Sequence, residues 1–390
     1  MRVAMFASES LHSICLGGLG VHVTELAAAL QRRGHEPHVI TRRKNAQNDK
    51  DCIGGVYYHR VDVPAGADEL ESTAFMCEAM VDRFRRVSAE VGGFDIAHAH
   101  DWLTAEALAG VMAAGDAPGV LTMHSTEYGR DGNVFHDGFA RHVRDLEAAA
   151  CHRADAVIAV SRFLADELRR IYQAPEAKLH VVPNGVSYRA FDGPVDPAEI
   201  KGRHAIPPQA PTVFAPARMT AQKGLDLLVQ AVPMLLAEHP QACVVLAGEG
   251  PERETLERAI ETLGIGRSTV LLGRLPYSHY LDLLRACDLV AVPSRNEPFG
   301  IVVLDAWSAG KPVVATTAGG PREFVRNGVD GVLVEADPHG LARGIGSLLA
   351  DLETGRTMGL NGRRAVEETF NWDRSAALTE AVYRTVARRL

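Results

Sequence analysis

From its first residues the chain alternates short apolar runs with longer stretches of helical period, a rhythm that admits few folds. Residues 2–8 read as a strand, and Gly17-Gly18-Leu19-Gly20 as a loop. Residues 21–33 carry apolar side chains at helical spacing with Gly34 beyond them, and residues 37–41 read as a second strand. Strand, helix and strand in that order demand a crossover, and a crossover implies a parallel sheet covered by helices. The pattern continues through strands at 94–98, 119–124, 156–160 and 179–182 and helices at 104–114, 138–153 and 163–172. Residues 187–209 are rich in Pro, Gly and charge and carry no clear period, so they read as a linker. A second series follows, with strands at 212–216, 242–247, 270–272, 289–292, 312–316 and 331–334 and helices at 224–238, 252–263, 277–286, 300–309, 321–326 and 338–351. The expectation is an α/β protein of two Rossmann-like, doubly wound domains, residues 1–186 and 209–370. Between them lies a linker at 187–208, and a closing segment at 371–390 holds a last helix (375–388) that returns to the first domain. A length of 390 residues suits two such domains.

Composition excludes several classes. With 41 Lys and Arg against 49 Asp and Glu, the formal charge of −8 argues against a large nucleic-acid surface. The six cysteines (Cys15, Cys52, Cys77, Cys151, Cys243, Cys287) form no CxxC pair and no zinc-like spacing, and they read as reduced thiols. No run approaches the length of a membrane span and the first residues lack a signal-peptide core, so a cytoplasmic location is expected. Membrane association and oligomeric state stay open. Most of the sixteen histidines stand alone in polar stretches and read as surface or capping residues.

In open parallel sheets ligands sit beyond the carboxyl ends of strands, so polar residues there are the candidates. The Gly17-Gly18 loop ahead of a helix offers open backbone amides to an anion, although a plain tight turn explains it equally. Arg218 and Lys223, five residues apart at the end of strand 212–216 and just before a helix, combine a forked donor and a point cation suited to a diphosphate. Gly248-Glu249-Gly250-Pro251 is a turn after another strand. Glu297-Pro298-Phe299-Gly300-Ile301 sets a carboxylate at a strand mouth, and Asp305 follows on the helix behind it. Gly319-Gly320-Pro321 opens one more helix. No GxxxxGK[ST] occurs, which removes the P-loop reading.

In order and spacing these segments resemble the retaining, two-domain GT-B glycosyltransferases of the group related to glycogen synthase and sucrose synthase. The resemblance rests on Arg218-x4-Lys223-Gly224, Gly248-Glu249-Gly250-Pro251, Glu297-Pro298-Phe299-Gly300, the stretch from Ala309 to Ala315, and Gly319-Gly320-Pro321. It extends to Gly17-Gly18, His98-Ala99-His100-Asp101-Trp102, Thr122-Met123-His124 and Val182-Pro183-Asn184-Gly185-Val186, and so covers nearly the whole chain. It implies two domains facing across a cleft and transfer of a hexosyl, most simply glucosyl, group from an ADP-, UDP- or GDP-sugar to a glycan or other hydroxyl acceptor. It also implies that Arg218 and Lys223 grip the donor diphosphate with help from amides around Gly18. Glu297 would contact the sugar hydroxyls and Asp305 the ribose, here in an E-x7-D rather than an E-x7-E pair. His124 would lie against the donor sugar and Asp101 on the acceptor side, with Leu275 and Tyr277 against the base or in the core. His98 and His100 read equally well as structural.

The resemblance implies no cofactor and no required metal. The only D-x-D, Asp49-Lys50-Asp51, sits in a stretch read as a charged loop. Cys15 stands where glucan synthases carry a lysine, and Ser187 where many relatives have an aspartate. The acceptor is therefore left open between a glucan, a lipid-linked sugar, a polysaccharide and a small metabolite. A carbohydrate-binding relative with a decayed site is the alternative, and the joint presence of His124, Arg218, Lys223 and Glu297 argues against decay.

Overall fold

The computed structural model describes residues 1–14, 17–44 and 46–387; Cys15 lies outside the described residues. The chain forms two compact units, one of Met1–Glu127, Phe135–Gly185 and Trp372–Leu390, the other of Tyr128–Val134 and Val186–Asn371.

The first unit is built on β1 (Arg2–Ala7), β2 (Glu36–Arg42), β3 (Lys50–Ile53), β4 (Val56–Val61), β5 (Ile96–His100), β6 (Gly119–Met123), β7 (Ala156–Ala159) and β8 (Leu179–Val181). They form one sheet in the order β3-β4-β2-β1-β5-β6-β7-β8. Every neighbouring pair is parallel except β3 and β4. Between the strands run α1 (Gly18–Arg32), α2 (Glu69–Val91), α3 (Ala105–Ala113), α5 (Phe139–Arg153) and α6 (Arg162–Tyr172), while α4 (Glu127–Arg130) begins here at Glu127 and its remaining residues belong to the second unit. Val3, Met5 and Phe6 of β1 are wholly buried, as a central strand with helices on both faces requires.

Residues 50–91 depart from expectation: strands β3 and β4 and helix α2 all fall where no element was foreseen. Lys50 and Asp51 lie in strand β3 rather than in a loop, and their acids are already paired: Asp51 Oδ2 is 2.5 Å from Arg60 Nη1, and Asp49 pairs with Arg43. Helix α2 was not foreseen. Asp68 caps it by accepting from the Glu71 amide at 2.9 Å, and it buries Met76, Cys77, Met80, Phe84 and Val87, a stripe diluted by charge in the sequence.

The second unit holds β9 (Thr212–Pro216), β10 (Cys243–Ala247), β11 (Thr269–Leu272), β12 (Leu289–Val292), β13 (Val313–Thr316) and β14 (Gly331–Val334), with α7 (Pro197–Arg203), α8 (Leu225–Glu238), α9 (Arg253–Thr262), α10 (Tyr277–Ala286), α11 (Ile301–Ser308), α12 (Pro321–Phe324), α13 (Pro338–Ala350) and α14 (Leu352–Glu368). The sheet is parallel in the order β11-β10-β9-β12-β13-β14, the doubly wound order that reverses direction between β9 and β12. The stretch expected as a linker carries α7 instead. The Asp196 side chain accepts from the Ala198 amide at 2.9 Å with Pro197 behind it, a helix start that a seven-residue helix gives little periodicity to reveal. Lys201 ties α7 down through the Ala210 carbonyl at 2.9 Å and Asp288 at 3.4 Å.

The last helix, α15 (Trp372–Ala387), belongs to the first unit and packs along α1. Asp373 meets Arg32 at 2.6 Å and Glu380 meets Arg33 at 2.6 Å, while Trp372, Ala376 and Tyr383 are buried. Among the described residues no helix is long and apolar enough to cross a membrane.

Candidate functional site

In the second unit the candidate residues gather where the sheet order reverses. The segment after β9 turns into α8 through Lys223, and the segment after β12 carries Ser294 to Glu297. Lys223 Nζ donates to Glu297 Oε2 at 2.8 Å, and Ser294 Oγ donates to the same oxygen at 2.9 Å. Thr316, at the end of β13, donates to the Ser294 carbonyl at 2.6 Å and fixes that turn. The Glu297 residue is 9% exposed, so its charge is matched by a cation and a hydroxyl rather than by water. Arg218 is exposed and its guanidinium makes no hydrogen bond or ion pair among the described residues, which leaves it free for an anion. Arg295 grips Asp226 with both Nη atoms at 2.6 Å and the Ala221 carbonyl at 3.1 Å, holding the Lys223 loop in place.

Glycines let these loops touch. Gly319 has φ +148°, and a Cβ on it would sit 2.1 Å from the Glu297 carbonyl oxygen. A Cβ on Gly248 (φ +143°) would sit 2.0 Å from that of Ala217. The Gly320 amide donates to the Glu297 carbonyl at 2.7 Å, so the Gly319-Gly320 turn is stitched to the catalytic candidate itself. Beside Gly248, Glu249 takes Arg253 at 3.2 Å. Phe299 is buried and stacks on Phe324, with ring centroids 5.2 Å apart; Gly300 (φ +102°) precedes α11, which starts at Ile301. Pro298 lies in the same buried turn.

Asp305, on α11, accepts from the Tyr280 hydroxyl on α10 at 2.6 Å. Burial pushes its carboxyl up to about 7, and the Tyr280 hydrogen bond works in the opposite direction. Tyr280 was missed by sequence reasoning because only the packing of α10 beside α11 brings it there. Tyr277 is 61% exposed, which removes the core reading for it; its ring lies at 26° to that of Tyr280. Leu275 is half-buried.

In the first unit the sheet reverses between β1 and β5. Gly17 caps α1, its amide donating to the Glu9 carboxylate at 3.1 Å, and Gly18 is the first helical residue. At the end of β5, Asp101 holds φ +58°, an unusual conformation for a residue other than glycine. Its Oδ1 accepts from the His124 amide at 2.7 Å, so Asp101 fixes the main chain that carries His124. His98 is spoken for, with Tyr383 Oη 2.6 Å from Nδ1 and Thr122 Oγ1 2.7 Å from Nε2, in keeping with the structural reading. His100 is also buried, but its Nδ1 lies 3.3 Å from His124 Nε2. The ring of His22, from α1, stands 4.4 Å from that of His124 and 5.3 Å from that of His100. Burial drives His124 down to about 3 and lowers His22, His98 and His100 well below the usual range. All four rings are thus neutral at pH 7. His22, His38, His59, His98 and His100 are buried, whereas the sequence suggested surface or capping roles for most histidines.

Two family descriptions match the chain, "Glycosyltransferase Family 4" over residues 16–189 and "Glycosyl transferases group 1" over residues 196–365. A D-inositol 3-phosphate glycosyltransferase of Xylanimonas cellulosilytica is 34% identical over 96% of this chain and 93% of its own. A glycogen synthase of Mycobacterium tuberculosis is 29% identical over 100% and 95%. The solved sucrose-phosphate synthase of Thermosynechococcus elongatus, 24% identical, superposes over all of both chains with a TM-score of 0.83.

Proposed function

Because the chain belongs to the family 4, glycogen synthase-like glycosyltransferases with the GT-B fold, we propose that it transfers a glucosyl group, with retention, from a nucleoside diphosphate sugar to a carbohydrate hydroxyl. The carrying observation is the Lys223–Glu297–Ser294 arrangement where the second sheet reverses, together with Arg218, whose guanidinium has no partner among the described residues. Lys223 and Arg218 neutralise the charge that grows on the departing diphosphate. Glu297 and the Pro298-Phe299-Gly300-Ile301 turn take the donor sugar, Gly248 and Glu249 border the phosphates, Asp305 takes the ribose, and Leu275 and Tyr277 flank the base. His124 serves the transferred sugar and Asp101 the acceptor. In the transfer the C1–O bond to phosphate breaks, the acceptor oxygen bonds to C1 on the same face, and the acceptor proton passes to the departing phosphate. No metal and no cofactor is needed on this reading, because cations and helix ends carry the charge.

A glucan is the first acceptor to test, given the glycogen synthase relative. A second reading, a small phosphorylated polyol or sugar, is favoured by the more similar inositol 3-phosphate glycosyltransferase. The experiment is release of nucleoside diphosphate from ADP-, UDP- and GDP-glucose, with glycogen, maltooligosaccharide, inositol 3-phosphate or no acceptor, and with Arg218→Ala as blank. Acceptor-dependent release, with an α-configured product by NMR, supports the reading. Silence across the panel overturns it.

A further inference from the structure

We infer that His22, His100 and His124 form a binding site for one divalent transition-metal ion of the zinc class within the first unit. One nitrogen from each ring falls within 4.8 Å of the other two. Tetrahedral zinc, at roughly 2.0–2.1 Å from each imidazole nitrogen, spaces its ligands about 3.4 Å apart. His100 Nδ1 and His124 Nε2 already stand 3.3 Å apart.

Protonation suits this use. His22 Nδ1 lies 2.8 Å from Asn184 Oδ1, which can only accept, so the ring proton sits on Nδ1 and Nε2 keeps its lone pair. That Nε2 is buried with no hydrogen-bond partner. A buried polar atom without a partner costs free energy, and a cation shared with the neighbouring imidazoles relieves it at His22 Nε2. The carboxamide of Asn184 acts as the outer hydrogen bond that orients metal-bound histidines. His98 is excluded, since both its nitrogens are engaged. His22 and His100 are buried whereas His124 is half-buried, so the cluster is most accessible at His124.

His124 is shared with the proposed donor site, so the inference is tested by metal binding itself, without turnover. Metal-free protein is titrated with Co2+, read by visible absorption and by quenching of Trp372, whose ring lies 5.3 Å from that of His22. The expected result is one equivalent per chain with the intense bands of tetrahedral cobalt, displaced by Zn2+. His22→Gln and His124→Gln abolish this binding, and Asn184→Ala weakens it about 10- to 100-fold. Far-UV circular dichroism confirms that each variant is folded, and the wild-type spectrum stands alone should one variant fail. Absence of tetrahedral bands in the wild type, or binding unchanged in folded His22→Gln and His124→Gln, overturns the inference.

Discussion

Lys223 Nζ and Glu297 Oε2 meet at 2.8 Å although 74 residues separate them, and both sit at the strand ends where the second sheet reverses direction. Removing the lysine takes a charge partner from the leaving diphosphate and strands a nearly buried carboxylate. Lys223→Ala is expected to lower nucleoside diphosphate release by a factor of order 10² or more in a folded protein. Steady-state release with saturating donor measures it, and turnover within a few-fold of wild type would remove Lys223 from the mechanism.

Gly319 tests whether the turn against Glu297 is set by sterics. Gly319→Ala forces a methyl group against the Glu297 carbonyl oxygen, whereas Gly328→Ala also has positive φ but meets nothing within 4 Å. The first is expected to cost roughly 1–3 kcal/mol more than the second and to raise KM for donor, as read by urea unfolding and donor titration. Equal costs would mean that the loop can move aside.

Asp305 makes stability fall as pH rises. Its folded carboxyl titrates at about 7 against an ordinary value of 3.8, so between those values the folded chain holds a proton that the unfolded chain has released. Stability is lost progressively from about pH 4 to 7, by up to about 4 kcal/mol, and the loss is complete above that window. Asp305→Asn should flatten this part of the profile, so its urea midpoint exceeds that of wild type by more at pH 8 than at pH 5. A constant difference would show that Asp305 ionises freely in the folded state.

The buried histidines act in the opposite sense. His124 and His59 titrate at about 3 when folded against 6.5 otherwise, so their contribution is complete above pH 6.5 and drains away as the pH falls toward 3. Each group contributes about 1.4 kcal/mol per pH unit within that window. Acid unfolding should therefore be steep, and His124→Asn should reduce proton uptake on unfolding by about one near pH 5. Calorimetric unfolding in two buffers of different ionisation enthalpy measures this number, and unchanged uptake would contradict a neutral His124.

The parallel strands were legible because burial on both faces leaves runs such as Val213 to Ala215 and Val290 to Val292 apolar. The motifs at their carboxyl ends were legible because glycines and charges punctuate those runs. Helix α7 and the edge strand β3 were not. One is too short to show a period, and the other owes its place to pairing with β4 rather than to apolar content. Residues 128–134 look continuous with the first unit, yet they join the second, where Asn133 meets the Asn296 side chain at 2.7 Å and the Arg295 carbonyl at 3.3 Å.

The sequence by itself determined the two parallel α/β series, the candidate cations Arg218 and Lys223, and the acids Glu297 and Asp305, since each depends on local spacing alone. Only the tertiary structure decided which partners these groups have: Ser294 and Lys223 on one oxygen of Glu297, Tyr280 on Asp305, and Asn184 on His22, 162 residues away. The physical reason is that a hydrogen bond or a shift in ionisation depends on distances of a few ångströms and on exclusion of water. Both arise when strand ends remote in sequence are brought side by side in a sheet.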